Sequence, residues 1–148
     1  MSGPSVTRLA GRAAFALMAA LAATVTGCES PSGLSGVTVR MSDSLYTAGT
    51  MVAFTVLNNG TSVVYLSRCC SHATVEVDRW QGAEWASYRS GACLALCPVG
   101  SVEIPPRIGR VDTTATIPDT GRYRLLVGVA PAAGAQPEWV ASNDFQIR

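Results

Sequence analysis

From residue 37 onwards, apolar and polar residues alternate in short runs that are separated by turn residues. The clearest runs are residues 37–41, 51–57 and 123–129, in which every second residue is apolar. Alternation with a period of two predicts β-strands with one buried face. Several such runs at short spacing are typical of an all-β sandwich or barrel.

Turn residues define the limits of the predicted strands. Asn58-Asn59-Gly60 predicts a tight turn, because Asn and Gly adopt positive φ at low cost. Residues 73–88 predict a hairpin around Gln81-Gly82, and Pro105-Pro106 predicts a connection, since proline cannot donate to a strand ladder. Further strands are predicted at 63–66, 107–117 and 139–147, the last interrupted around Ser142-Asn143. We therefore expect one antiparallel sandwich of about seven to nine strands.

A local motif indicates which kind of sandwich this is. Residues Asp119, Gly121 and Tyr123 match the pattern D-x-G-x-Y, which resembles the tyrosine corner of immunoglobulin-like domains. In that corner the tyrosine ring is buried, and its hydroxyl bonds to a backbone group upstream. Leu125 stands where antibody domains have a cysteine, so we expect no intersheet disulfide of the antibody type.

The N-terminal segment has the pattern of an export signal. Arg8 and Arg12 precede an apolar stretch at 13–25, which fits a signal peptide and is too short for a comfortable membrane span. The stretch ends in Val25-Thr26-Gly27-Cys28, which resembles the lipobox of bacterial lipoproteins. We therefore predict a lipoprotein signal peptide at 1–27 and a flexible tether at 28–36 that starts with lipidated Cys28. An immunoglobulin-like domain at 37–148 completes the chain, anchored by lipid to a membrane of the cell envelope on its periplasmic or extracellular face.

Framework residues along the whole predicted domain resemble a known family. They are Tyr46-x-x-Gly49, Asn58-Asn59-Gly60, Arg79-Trp80, Trp85, Gly121-x-Tyr123-Arg124 and Ser142-Asn143-x-Phe145-x-Ile147. With these residues the chain resembles the immunoglobulin-like domain of many short bacterial lipoproteins, and loosely the intracellular proteinase inhibitor (BsuPI-like) family of bacilli. The resemblance implies a β-sandwich and little about activity, and that inhibitor family acts in the cytoplasm whereas this chain is predicted to be exported.

Four cysteines remain after the predicted lipid site: Cys69, Cys70, Cys93 and Cys97. In an oxidising compartment we expect two structural disulfides between the 69–70 pair and the other two cysteines. A bond between the two adjacent cysteines is disfavoured, because their Cα atoms lie only about 3.8 Å apart. The alternative is a metal site formed by Cys70, His72, Cys93 and Cys97, since thiolate and imidazole ligands at such spacing suit zinc or copper(I).

Composition excludes several classes of function. The net charge is +1 and only 14% of the residues are charged, so the basic excess of a nucleic-acid-binding protein is absent. The chain has one histidine and no lysine, and it lacks both a G-x-S-x-G elbow and a glycine-rich phosphate loop. We interpret Glu76, Asp78 and Glu84 as the solvated face of a hairpin rather than as catalytic carboxylates. The chain is therefore predicted to be no enzyme and to need no cofactor.

The aromatic residues are the best candidates for recognition. Trp80, Trp85, Tyr88 and Trp139 could form a binding patch with Arg79 and Arg89, since aromatic residues and arginine are enriched at interaction hot spots. The alternative is that one or two of the tryptophans fill the core. We predict a non-enzymatic binding or structural role, with a protein of the cell envelope as partner. Proteinase inhibition through the cysteine-clamped loop at 91–100 is a further alternative.

Overall fold

The computed structural model describes residues 33–90, 98–114 and 116–148. The predicted signal peptide, Cys28, Cys93 and Cys97 lie outside these ranges. Within them the protein is all-β, and no helix long and apolar enough to cross a membrane occurs there. The twelve strands are β1 (Val37–Met41), β2 (Leu45–Tyr46), β3 (Ala53–Asn58), β4 (Val64–Cys69), β5 (His72–Ala73), β6 (Val75–Trp80), β7 (Trp85–Arg89), β8 (Val99–Ile104), β9 (Ile108–Thr113), β10 (Gly121–Ala130), β11 (Glu138–Ala141) and β12 (Phe145–Ile147).

The strands form two sheets, which pack as an immunoglobulin-like β-sandwich. The smaller sheet has the order β1-β3-β9, and its neighbours are antiparallel. The larger sheet contains the other nine strands, and it is antiparallel except where β2 runs parallel to β12. The prediction of an antiparallel sandwich is confirmed, with more strands than expected.

Strand β10 organises the larger sheet. Its first half pairs with β12 along one edge and with β6 along the other. Its second half pairs with β11 on the β12 side and with β4 on the β6 side. Strand β7 extends the sheet beyond β6, and β8 extends it beyond β4. A single ten-residue strand therefore holds two strands in succession along each of its edges.

Alternating side chains from both sheets fill the core. In β10, Tyr123, Leu125 and Val127 are fully buried, and in β3 Phe54 and Val56 are as well. These residues recur at every second position, as the sequence pattern predicted, because successive side chains of a strand point to opposite faces. None of the three tryptophans belongs to the core.

The strands that the sequence pattern missed are short or irregular. Strand β8 covers residues assigned in part to a cysteine-rich loop, and its backbone pairs with all of β4 although most of its side chains are exposed. The predicted closing strand at 139–147 is divided into β11 and β12, with the interruption at Ser142 and Asn143 that the sequence predicts. Backbone pairing without burial produces little hydrophobic alternation, so a sequence pattern does not detect it.

The fold begins before the predicted boundary at residue 37. Leu34 is buried in the core, and its carbonyl accepts a hydrogen bond from the Val37 amide at 2.9 Å. Gly36 packs closely against the backbone of Asn59 and Gly60, at φ +89°. Residues 33–36 are therefore a turn of the domain rather than part of a free tether.

Asn58 fixes the predicted turn at 58–60 from inside the fold. Its side chain is almost fully buried, and its amide group donates to the carbonyls of Ser62 and Ile104 at 2.8 and 2.9 Å. Its amide oxygen accepts from the Gly60 backbone at 3.0 Å. The side chain thus joins the end of β3 to the end of β8.

We expect Asn58→Ala to lower the free energy of unfolding by about 2–3 kcal/mol, because it leaves buried backbone groups without partners. Asn59→Ala is the matched control, since the neighbouring Asn59 is exposed, and it should change stability by less than about 0.5 kcal/mol. Urea unfolding of both variants measures the difference. Equal effects of the two substitutions would contradict the role given to Asn58.

Candidate functional site

A row of cross-strand neighbours lies on the outer face of the larger sheet. Trp80 pairs with Trp85, and the pairing of Arg79 with Tyr123 places Arg122 beside Trp80. Gln146 lies opposite Arg122, and Leu45 lies opposite Gln146. We call Trp85, Trp80, Arg122, Gln146 and Leu45 the tryptophan row. It crosses five strands, so it spans about 19 Å at the usual strand spacing.

Arginine and tryptophan side chains interleave on this face. The Arg122 guanidinium lies 5.5 Å from the ring centre of Trp80 and 5.7 Å from that of Trp85. Arg124 lies closer to Trp85, at 4.8 Å, and the two tryptophan rings meet edge to face at 5.2 Å. Such contacts stabilise by about 0.5–2 kcal/mol each and hold flexible side chains in place. The face is therefore ordered before any partner arrives.

Carboxylates complete the network. Arg124 donates from Nε and Nη2 to Oδ2 of Asp78, at 2.9 and 2.8 Å. Arg122 donates from Nε to Asp144. Asp78 is only 7% exposed, so its interpretation as part of a solvated hairpin face is wrong. The charge is tolerated because Arg124 supplies both a hydrogen-bond partner and a counter-charge.

The structure separates the residues of the predicted aromatic patch. Trp80 and Trp85 lie together, but Arg79 turns to the opposite face of the sheet, where its guanidinium lies 5.8 Å from the ring centre of Tyr123. Arg89 donates to the Thr116 carbonyl, and Trp139 lies beside Gly128 near the other end of β10. The patch is thus formed around Arg122 and Arg124. The alternation of these two arginines with buried Tyr123 and Leu125 is the sequence signal for their outward position.

Tyr123 forms the bond of a tyrosine corner. Its ring is fully buried, and its hydroxyl donates to the Asp119 carbonyl at 3.0 Å. Gly121, between them, has φ +153°. A Cβ atom at this position would lie 3.2 Å from the Tyr123 ring, so a side chain there would crowd the corner. The geometry is the one that the Asp119, Gly121 and Tyr123 pattern predicts.

A second tyrosine stands next to this corner. Tyr88 donates its hydroxyl to Oδ2 of Asp119 at 2.6 Å, and its ring contacts Tyr123 edge to face. The hydrogen bond to Asp119 raises the pKa of Tyr88, and burial raises the pKa of Tyr123. Both hydroxyls therefore stay protonated and donating at any physiological pH.

The cysteine pair lies at the turn between β4 and β5. Cys69 is the half-buried last residue of β4, and Cys70 is exposed at the turn itself. Cys70 has φ +57°, an uncommon backbone conformation for a residue other than glycine, and its amide donates to the Pro98 carbonyl at 3.1 Å. Cys93 and Cys97 lie outside the described residues, so their pairing stays a prediction.

Of the four ligands of the metal alternative, Cys70 and His72 lie within the described residues. Both are exposed, Cys70 at the turn and His72 in β5. No group of three or more histidine, cysteine or acidic residues suited to a metal ion occurs in the ranges that the structure describes. His72 and Cys69 instead line an open cavity of about 380 Å³ together with Met51 and Arg89.

The tryptophan row and the start of the fold lie at opposite ends of β10. Gly33 packs against Pro131, which directly follows β10, whereas Arg122 of the row is its second residue. The ten residues of this strand cover about 30 Å. Whatever precedes residue 33 therefore enters the domain far from the row.

Comparison with known proteins identifies no family. No family model matches the chain, and no curated protein matches it. Among solved structures, the alkylpurine DNA glycosylase AlkC of Pseudomonas fluorescens is 9% identical over 76% of this chain and 30% of its own, with a TM-score of 0.37. A PapD-like domain of human CEP192 is 13% identical over 99% of this chain and 94% of its own, with a TM-score of 0.34. A chain from a structure of T cell activation by toxic shock syndrome toxin-1 is 11% identical over 76% of this chain and 98% of its own, with a TM-score of 0.35.

We expect Arg124→Gln to lower the free energy of unfolding by about 2–3 kcal/mol, because it leaves the Asp78 carboxylate buried without a counter-charge. The double variant Asp78→Asn/Arg124→Gln should recover part of that loss, since no charge is then buried. Arg122→Gln is the control: this arginine is more exposed, and about 1 kcal/mol or less should be lost. Denaturant unfolding measures these differences. A loss of stability in Arg122→Gln as large as in Arg124→Gln would contradict the role of Arg124 as the counter-charge of Asp78.

The tyrosine corner predicts a loss of stability at alkaline pH. Because the folded-state pKa values of Tyr88 and Tyr123 are raised above 10.0, protonated hydroxyls stabilise the fold below that pH. This contribution is lost as the pH rises through the folded-state values. Thermal unfolding between about pH 9 and pH 11 should show a falling midpoint, and the slope should be smaller in Tyr88→Phe. An unchanged slope in that variant would show that Tyr88 does not contribute.

Proposed function

We propose that this protein is a lipid-anchored protein of the cell envelope and that it binds a protein partner through the tryptophan row. The observation that supports it best is the row itself, in which two tryptophans, an arginine, an amide and an exposed leucine lie side by side across five strands. Tryptophan and arginine are the residue types most enriched at protein–protein hot spots. The proposed role is non-enzymatic.

Order in the row favours binding. The guanidinium of Arg122 and the two tryptophan rings are held by contacts with one another and with Asp144. Side chains that are already fixed lose less conformational entropy when a partner binds. The half-buried rings and, at the other end of the row, the exposed Leu45 also offer apolar surface that a partner could cover.

The proposed anchor is Cys28, the residue that follows the predicted signal peptide. Because Leu34 is already part of the core, only five Cα–Cα steps separate Cys28 from Gly33, which is at most about 18 Å. The domain would then be held close to the membrane, with its Pro131 end towards the lipid anchor. The row would be about 30 Å away along β10, free to contact a neighbour.

The proposed disulfides would stabilise the larger sheet, on whose outer face the tryptophan row lies. We propose that Cys69 and Cys70 are linked to Cys93 and Cys97, in an order left open. The hydrogen bond from Cys70 to the Pro98 carbonyl supports this pairing, because it holds the residue that follows Cys97 beside the cysteine pair. Such links would constrain the unfolded chain and raise stability by about 3–4 kcal/mol each.

One experiment in the cells that make the protein tests both parts of the proposal. A photo-crosslinking amino acid replaces Gln146, which lies beside Arg122 in the row, and the membrane and soluble fractions are separated after irradiation. We expect acylated, membrane-bound protein and one discrete adduct with an envelope protein. Trp80→Ala should reduce the adduct by about tenfold or more while leaving the protein in the membrane, since it removes one hot-spot side chain.

Two controls separate the anchor from the binding face. Cys28→Ser should move the protein out of the membrane fraction, and a protein still in the membrane would overturn the lipid anchor. The crosslinker at Glu138, an exposed residue of β11 away from the row, should give no adduct with the same protein. An adduct from both positions, or none at Gln146, would overturn the proposed binding face.

A further inference from the structure

Strand β9 is an edge strand with one unpaired side. It pairs with β3 through all six of its residues, and no strand within the described ranges pairs with its other edge. Val111 is 66% exposed and Ile108 is 51% exposed. Long edge strands with apolar side chains and without proline are ready to pair with another strand. We propose that two copies of this chain associate by antiparallel pairing of β9 with β9.

The hydrogen-bond pattern identifies which residues face the free edge. The Thr114 amide donates to the Val52 carbonyl at 2.9 Å, so in the antiparallel ladder Asp112 and Arg110 also direct their backbone groups towards β3. The amides and carbonyls of Gly109, Val111 and Thr113 therefore point outwards. A partner strand must place its own outward residues opposite these three.

Charge then selects one register. When Val111 lies opposite Val111 of the second copy, Arg110 lies opposite the second copy's Asp112, and the reverse pair forms by symmetry. A shift by two residues in one direction sets Arg110 against Arg110, and in the other direction Asp112 against Asp112. Directly opposed like charges destabilise a sheet, and opposite charges stabilise it. Only the register centred on Val111 is complementary.

In the single copy, Oδ1 of Asp112 accepts from the Thr113 amide at 2.8 Å, but one other atom of each of these two side chains forms no hydrogen bond. Oδ2 of Asp112 and Nε of Arg110 are buried and form no hydrogen bond. The Asp112 side chain is 9% exposed, and its contact with Nη2 of Arg68, at 3.7 Å, is too long for a hydrogen bond. In the proposed register, Arg110 and Asp112 form non-hydrogen-bonded pairs, in which side chains are closest. Each unpaired group thus finds its partner on the other copy.

The proposal concerns a different surface from the tryptophan row. Strand β9 belongs to the smaller sheet, and the row lies on the outer face of the larger one. A test can therefore disprove self-association without disproving binding at the tryptophan row, and it can disprove binding at the row without disproving self-association.

The test uses the full chain in its own membrane, with a photo-crosslinking amino acid at Val111. We expect an adduct of twice the chain mass, whose crosslinked peptides both contain residues 108–113. The matched control position is Thr38, an exposed residue of β1 at the opposite edge of the same sheet, which should give no such adduct. Native mass spectrometry of the wild-type protein released from detergent micelles should also show the dimer.

Val111→Pro distinguishes edge pairing from unspecific contact. The Val111 amide points away from β3, so proline there leaves the ladder within the domain intact but removes the hydrogen bond to the second copy. We expect dimer formation to fall about tenfold or more, with the thermal midpoint of the domain largely kept. Val111→Thr, which keeps the amide, should retain the dimer.

A charge exchange tests the register. Arg110→Asp should weaken the dimer, because it sets two carboxylates against each other, and Arg110→Asp combined with Asp112→Arg should restore it. If the chain with both exchanges does not fold, the comparison of Val111→Pro with Val111→Thr tests the dimer by itself. A crosslink from Val111 to residues of the same chain, a crosslink to a different protein, or the absence of any adduct would each overturn the proposal.

Discussion

The alternation of side chains along β10 is the constraint on which the rest of this structure depends. Tyr123, Leu125 and Val127 point inwards and form the centre of the core, while Arg122 and Arg124 point outwards. A shift of one residue would bury both guanidinium groups and expose the tyrosine ring. Because β10 pairs with four other strands, its register sets theirs as well. The register of β10 therefore fixes both the buried core residues and the outward arginines.

Much of this arrangement follows from the sequence, because it is local. The alternating runs identify the strands that have one buried face, and the Asp119, Gly121 and Tyr123 pattern identifies the corner from residues only four positions apart. The Asn58-Asn59-Gly60 turn is found for the same reason. In each case the residues that interact are close together in the chain, so their types and spacing are sufficient.

The tryptophan row could not be read from the sequence, because its members are brought together by cross-strand pairing. Trp80 and Gln146 are sixty-six positions apart, and nothing in either neighbourhood shows that both flank Arg122. Burial of Asp78 was missed for the same reason, since its counter-charge comes from Arg124 on another strand. Strand β8 escaped detection because its pairing with β4 depends on backbone groups, which every residue has.

The position of Leu34 has a mechanical consequence. A pull on the chain from its N-terminal side enters the fold at Leu34 and passes at once into β1, which pairs with β3 through five successive residues. If the opposing force acts at the far end of β10, the load runs along the strands rather than across them. The hydrogen bonds between β1 and β3 are then strained together in shear, instead of opening one after another. We therefore expect such a domain to resist extension along its length better than one whose terminal strands lose their hydrogen bonds one at a time.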